Sequence, residues 1–317
     1  MIVLLGASGY IGSAFSQQLK ADGVPFISPV RKDLDYSNFP SLVQFLHQTK
    51  PEFLINAAGY TGKPNVDACE QHKADTINGN VLLPLTIAQA CHSTNTPWAH
   101  VSSGCIFSGA KILKNGMEMI VKDLTSPEAD HILREEKTSI RGFNEWDTPN
   151  FSFRNLPCSF YSGTKALAEE AISPYPNCYI WRLRIPFDEE DNSRNYLSKI
   201  QRYSKVYQNV NSLSHRKDFT AACLGLWKKR APFGIYNVTN PGFVTTREVV
   251  ELIQKHLDIN RQFAFWKDDA EFYRLAASTP RSNCVLDSSK LLDTGVKLRT
   301  VHEALIDSLK NWKKEAK

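Results

Sequence analysis

At 317 residues the chain has room for one large domain or two modest ones. Its 42% hydrophobic and 22% charged residues exclude a disordered or fibrous protein. The net charge of +5 is spread without a dense basic stripe, which argues against a nucleic-acid partner and suits an anionic small substrate.

Seven cysteines without CxxC spacing point to thiols in a reducing cytoplasm, not to a disulfide framework or a metal site. No signal peptide and no membrane span are expected, because residues 2–5 lead straight into a glycine turn and no apolar run reaches membrane length.

The first half alternates short apolar runs with helical periodicity. Strands are expected at 2–5, 25–28, 53–56 and 98–101, and helices at 11–20, 42–48 and 81–91. Such alternation argues for an α/β fold whose parallel sheet is covered on both faces. Residues 109–149 break the rhythm. They are polar and irregular, with a helix start at Ser126-Pro127-Glu128, and read as a functional lid or mobile insertion. A helix follows at 161–172 and a strand at 179–184. Further on come a strand at 234–238, a capped helix at 246–256 and a terminal helix at 301–312. The expected boundary lies near Pro186. It divides a cofactor domain at 1–185, carrying the insertion, from a smaller substrate domain at 186–317. The chain can recross near 217–240, where the strand at Ile235 can rejoin the first sheet.

Gly6-Ala7-Ser8-Gly9-Tyr10-Ile11-Gly12 lies between the first strand and the first helix. Glycines at these places allow a tight turn, a close backbone approach to pyrophosphate, and helix–strand packing. The helix start then offers free N–H groups to phosphate. The motif points to a dinucleotide, NADP or NAD. The second strand ends in Arg31 where NAD binders place an acid, which favours the 2′-phosphate of NADP. Asp35 and Tyr36 are placed to frame the adenine. Ala57, Ala58 and Gly59 are small enough for a cofactor to lie against the backbone.

Tyr161 and Lys165 stand four apart, on one face of a helix. A phenol of pKa about 10 is a poor acid–base near neutrality. A lysine one turn away favours the phenolate and can also bond the nicotinamide ribose. Ser103, at the end of a strand, would hydrogen-bond a substrate carbonyl beside Tyr161. Asn80 either holds a water linked to Lys165 or kinks its helix.

Taken together these residues resemble the extended short-chain dehydrogenases that act on nucleotide sugars. The nearer likeness is to the 4-dehydrorhamnose reductases, especially the bifunctional 3,5-epimerase/4-reductases. It is carried by Asn56-Ala57-Ala58-Gly59-Tyr60-Thr61-Gly62-Lys63-Pro64-Asn65-Val66-Asp67, Gly104-Cys105-Ile106-Phe107 and Ser159-Phe160-Tyr161-Ser162. Further on it is carried by Arg194-Asn195-Tyr196-Leu197-Ser198-Lys199-Ile200, Tyr236-Asn237-Val238-Thr239-Asn240-Pro241-Gly242 and Pro280-Arg281-Ser282-Asn283.

The resemblance implies a Rossmann doubly wound domain with a smaller C-terminal α/β domain for the sugar nucleotide. It implies NADPH as hydride donor, Cys105 and Lys199 as the epimerising pair, and Asn65, Asn195 and Arg281 as substrate contacts. Arg216 is a weaker candidate for the diphosphate. The chain departs from the pattern in its longer 109–145 segment and in Leu213-Ser214-His215-Arg216-Lys217-Asp218. Two alternatives stand beside the epimerase–reductase. One is a pure 4-ketoreductase. The other is a non-catalytic, NADP-binding regulatory subunit, since the regulatory subunit of methionine adenosyltransferase resembles the same reductases. A homodimer is the assembly considered.

Overall fold

Four consecutive apolar residues, Ile2–Leu5, form β1, and all four are buried. A computed structural model describes residues 1–114 and 116–313. After β1 come α1 (Tyr10–Ala21), β2 (Phe26–Ile27), α2 (Phe39–Thr49) and β3 (Phe53–Asn56). Next are α3 (Leu83–Ser93), β4 (Trp98–Ser103), α4 (Phe160–Ile172), β5 (Cys178–Leu183) and β6 (Gly234–Asn237). The six strands make one sheet in the order β6-β5-β4-β3-β1-β2. β1 pairs in parallel with both β2 and β3, and β3 with β4.

The strands are apolar on both sides because both sides are covered. Leu54 joins Val3, Leu5, Leu42, Leu46, Ile87 and Trp98 in one core cluster. Its neighbour Phe53 points the other way and stacks on Trp227, with ring centroids 4.2 Å apart. Phe15 and Trp181 stack on that same side at 5.9 Å. Each such buried side chain contributes about 1.5–3 kcal/mol.

The chain forms two compact units. The first holds Met1–Ile106, Pro149–Arg182 and Trp227–Tyr236. The second holds Phe107–Thr148, Leu183–Leu226 and Asn237–Lys317, so most of the expected 109–149 insertion belongs to the second unit.

That segment is more ordered than its composition suggests. It builds a three-stranded antiparallel sheet in which Ala110–Lys114 lies between Met117–Val121 and Ile140–Arg141. Met117–Val121 is an edge strand whose apolar and charged side chains are largely exposed, so no alternation betrays it. The signal for the hairpin is Gly116, φ +78°, directly after an asparagine. The expected helix is present at Pro127–Glu135, capped by Ser126.

The second unit has its own core around Phe187, Leu197, Leu213, Val249 and Leu305. Its helices Thr246–Leu257 and Val301–Lys310 each begin with a full capping box, Thr245 with Glu248 and Thr300 with Glu303. No helix among the described residues is long and apolar enough to cross a membrane.

Candidate active site

The chain runs outward from β1 to β2 and then returns to β3 on the other side of β1. In an open α/β sheet, a ligand crevice lies at such a reversal, beyond the strand ends. Leu5 is in register with Asn56, so Gly6 and Ala57 leave the sheet side by side. Gly6 has φ +77°, and a Cβ there would lie 2.5 Å from Ala58 N. A Cβ on Gly12 would lie 2.0 Å from Gly6 O. These glycines bring two strand-end loops and a helix start together with no side chain between them. No side chain caps Gly9 at the start of α1, and the first turn holds no acid. The positive end of the helix is left to an anion, which fits the pyrophosphate of a dinucleotide.

Arg31 is exposed, and its Nε donates to Tyr36 Oη at 3.3 Å. Its guanidinium lies 5.5 Å over the Tyr36 ring. The ring itself is buried in the sheet core, so Tyr36 supports Arg31 from below. The Asp35 carboxylate accepts from Ser37 N and Ser37 Oγ, which lowers its pKa.

α4 begins at Ser159, whose hydroxyl accepts from Ser162 N at 3.0 Å. The Phe160 N–H donates to Glu70 at 2.7 Å. Tyr161 is half-buried, and Lys165 one turn on is buried. Lys165 Nζ donates to Val101 O at 3.0 Å and lies 3.2 Å from His100 Nε2. Burial pushes Lys165 down to about 8, against the opposing pull of Cys105 and Glu169. Another turn on, Glu169 accepts from Ser102 Oγ at 2.5 Å and takes Arg182 through two nitrogens. α4 is thereby fixed to β4 at the residue next to Ser103.

Ser103 Oγ accepts the backbone N–H of Cys105 at 3.2 Å. That use of its lone pair leaves the serine proton to donate. Cys105 is buried in the turn Gly104–Ile106, against which α4 packs.

Asn80 sits in a π-helical turn, Asn78–Leu82. Its Oδ1 accepts from Tyr60 N and its Nδ2 donates to Tyr60 O, both at 2.8 Å. A weaker contact reaches Thr164 Oγ1 at 3.4 Å. The amide clamps the loop after β3 to the π-helical turn. Asn65 is exposed, and its Oδ1 accepts from Asp67 N at 2.8 Å.

The remaining candidates belong to the second unit. Lys199 is half-buried in the helix Tyr196–Arg202, and burial, then Arg194, lowers its pKa. Arg281 is half-buried, and its backbone N–H donates to Tyr273 Oη at 3.1 Å. Two expectations are corrected. Asn195 is fully buried as the cap of that helix: Oδ1 accepts from Leu197 N, and Nδ2 donates to Asp188 and Glu190. Its amide is used up inside the protein. Arg216 is buried against Asp188, so its charge is already met.

Comparison with known proteins agrees with this geometry. The RmlD substrate binding domain matches residues 1–131. The bifunctional dTDP-4-dehydrorhamnose 3,5-epimerase/dTDP-4-dehydrorhamnose reductase of Arabidopsis thaliana is 33% identical over 305 residues, 96% of this chain and 90% of that one. The chain belongs to the RmlD family.

A trifunctional UDP-glucose 4,6-dehydratase/UDP-4-keto-6-deoxy-D-glucose 3,5-epimerase/UDP-4-keto-L-rhamnose reductase of the same plant is also 33% identical, but the chain spans only 41% of its length. Two solved structures share the fold. The UDP-rhamnose synthase of Acanthamoeba polyphaga mimivirus has TM-score 0.80 at 22% identity, with 98% of each chain covered. The dTDP-4-dehydrorhamnose reductase of Bacillus anthracis, solved with NADP, has TM-score 0.74 at 17% identity, covering 98% of this chain and 97% of that one.

Within this candidate site, sequence reading missed His100, Ser102, Glu169 and Arg182. A signal existed for Glu169. Tyr161, Lys165 and Glu169 continue one stripe at four-residue spacing, and a carboxylate on a buried stripe requires a partner. His100 stands between apolar residues in a strand, and nothing local reveals what it meets.

Proposed function

We propose that this RmlD-family chain reduces the C4 ketone of an NDP-4-keto-6-deoxy sugar with NADPH, after inverting C3 and C5, and so forms an NDP-rhamnose-type sugar. The observation that carries the reading is the Ser103 hydroxyl, which accepts the Cys105 N–H and keeps its proton to donate, at the strand end beside the Tyr161–Lys165 helix.

The Gly6–Gly12 turn and the start of α1 would hold the pyrophosphate, and Arg31 the 2′-phosphate. NADPH, when bound, supplies the hydride to C4. Ser103 donates a hydrogen bond to the ketone oxygen, and Tyr161 gives that oxygen its proton. Lys165, buried and easily deprotonated, returns a proton to Tyr161. Before reduction, the ketone acidifies the protons at C3 and C5. Cys105 and Lys199 exchange those protons in this reading, while Ser103 and Tyr161 support the enolate charge. The lowered pKa of Lys199 supports its part, because an amine must be partly neutral to act as a base. The cytoplasm suits this chemistry and the chain's seven cysteines, with no disulfide among the described residues.

The test uses a UDP- or dTDP-linked 4-keto-6-deoxyglucose in deuterated water. Without NADPH, deuterium should enter C3 and C5; with NADPH, absorbance at the reduced nicotinamide band should fall. Reduction without exchange leaves a pure 4-ketoreductase. Neither reaction, with NADPH still bound, leaves the regulatory-subunit reading.

A further inference from the structure

The second unit carries an uncovered sheet edge. Met117–Val121 pairs with Ala110–Lys114 along its whole length, and no further strand among the described residues lies on its other side. The usual guards of an edge are missing. The register runs without a bulge, the strand holds no proline, and its single charge is Glu118. Met117, Met119 and Ile120 are 66%, 52% and 55% exposed. Such an edge is a template for another strand.

The direction of its backbone groups follows from the turn. Lys114 stands opposite Met117 with two residues between them, so theirs is a hydrogen-bonded pair. By alternation, Met119 and Val121 also turn their N–H and C=O towards Ala110–Lys114, while Glu118 and Ile120 turn theirs outwards. The side chains divide in the same rhythm. Met119 and Val121 stand opposite Ile112 and Ala110, on the buried face. Glu118 and Ile120 share the other face, and Lys122, exposed just past the strand, is next in that alternation.

We infer that this edge is a contact between two copies of the chain: Met117–Val121 pairs antiparallel with the same strand of a second copy, across a two-fold axis at Ile120. The pattern of charge and apolarity around Ile120 is what selects a second copy. A two-fold axis normal to the sheet keeps every side chain on its own face, so the axis must fall on a residue and not between two. With Ile120 on the axis, Ile120 meets Ile120, Glu118 meets Lys122 of the second copy, and Met119 meets Val121. Every pair is apolar with apolar or opposite in charge, and each occurs with its symmetry mate. Centred on Glu118, the pairing would set two carboxylates against each other. Centred on Met119, it would set Glu118 against Ile120 on both sides of the axis. The outward N–H and C=O groups of Glu118 and Ile120 gain partners in the chosen register, and the two three-stranded sheets become one of six strands.

The test is the oligomeric state of the full chain. Light scattering after gel filtration should give a dimer at concentrations above about 1 to 10 µM, because an interface this small is weak. Ile120→Lys sets two ammonium groups on the axis and should give a monomer. Lys122→Glu sets carboxylates opposite each other twice and should raise the dissociation constant about tenfold or more. Adding Glu118→Lys to Lys122→Glu makes the charges opposite again and should return the constant to within about threefold of its natural value. The three positions are exposed, and Lys111, 3.6 Å from Glu118, keeps Asp147 at 2.8 Å, so the variants should fold. Ile120→Cys should cross-link two chains through that residue on mild copper-catalysed air oxidation, since Cα atoms of a hydrogen-bonded pair stand about 5.5 Å apart. Met117→Cys, remote from the axis, should not. A natural chain that stays monomeric to about 100 µM overturns the inference, because even weak specific interfaces associate there. A dimer that survives Ile120→Lys also overturns it, as does a double variant that associates no more tightly than Lys122→Glu alone.

Discussion

Ser103 and Cys105 are joined by a hydrogen bond from the cysteine backbone to the serine oxygen, at 3.2 Å. The two halves of the proposed reaction are assigned to these two residues, yet only the cysteine's backbone serves the serine. Their side chains are therefore separable. Ser103→Ala removes the carbonyl donor and should lower kcat about 10²–10³-fold, with little change in KM. Cys105→Ala keeps the N–H that orients Ser103. It should abolish deuterium entry at one carbon of the 4-keto sugar while reduction of already epimerised substrate stays near its natural rate. Loss of both activities in Cys105→Ala would show that the cysteine side chain serves the whole site.

Glu169 sets how firmly α4 rests on β4. It meets Arg182 through two nitrogens and Ser102 through its hydroxyl, all buried. Glu169→Gln leaves Arg182 charged and under-paired in the interior, which costs about 3–5 kcal/mol. Chemical denaturation should report that loss. A ΔΔG below about 1 kcal/mol, the range of exposed pairs, would mean that the pair contributes as a surface pair does.

Two glycines should respond differently to an added methyl group. At Gly12 an added Cβ would stand 2.0 Å from the Gly6 carbonyl, and backbone cannot yield cheaply. Gly12→Ala should destabilise by about 3 kcal/mol and weaken NADPH binding, because Gly6 moves with it. Gly23 has φ +64° with nothing near its missing Cβ. Gly23→Ala should cost about 1 kcal/mol and leave cofactor affinity unchanged. Fluorescence titration with NADPH, beside thermal unfolding of both variants, separates steric closure of the turn from simple backbone strain.

In the second unit, burial pushes the Asp218 carboxyl up, but hydrogen bonds from His215, Arg299 and Asn240 outweigh it and hold the group at about 2. A carboxyl whose folded pKa lies below its unfolded value stabilises the protein above about pH 4 and loses that contribution as pH falls through about 2. Asp218 should account for about 2 kcal/mol of acid sensitivity. Asp218→Asn, less stable at neutral pH, should lose correspondingly less on acidification. Parallel losses in the two proteins between pH 5 and 2 would sink this assignment.

Local spacing made much of the first unit legible. Gly6, Gly9 and Gly12 stand where a strand–turn–helix needs them, and Tyr161 and Lys165 share a face because four residues make about one helical turn. These relations are carried by covalent geometry within a few residues. Other readings failed for want of distant partners. Asn195 looks like a surface ligand until Asp188 and Glu190 surround its amide. Arg216 looks available until Asp188 meets it. The sheet within 107–148 stayed hidden because its edge strand faces outward and carries no alternating pattern.

The sequence alone determined that a glycine turn follows a buried strand, and that a tyrosine and a lysine lie on one helical face. It also brought a serine and a cysteine to the end of β4. Tertiary structure alone decided what those groups can do. The Ser103 oxygen accepts from a backbone two residues away, a bond that spacing permits but does not require. Lys165 Nζ meets Val101 O and His100, 64 and 65 positions earlier, and His100 meets Asn56, 44 positions before that. Proton placement in a buried chain depends on which donor meets which acceptor. Those meetings arise when β3, β4 and α4 pack, and no periodicity in the sequence encodes them.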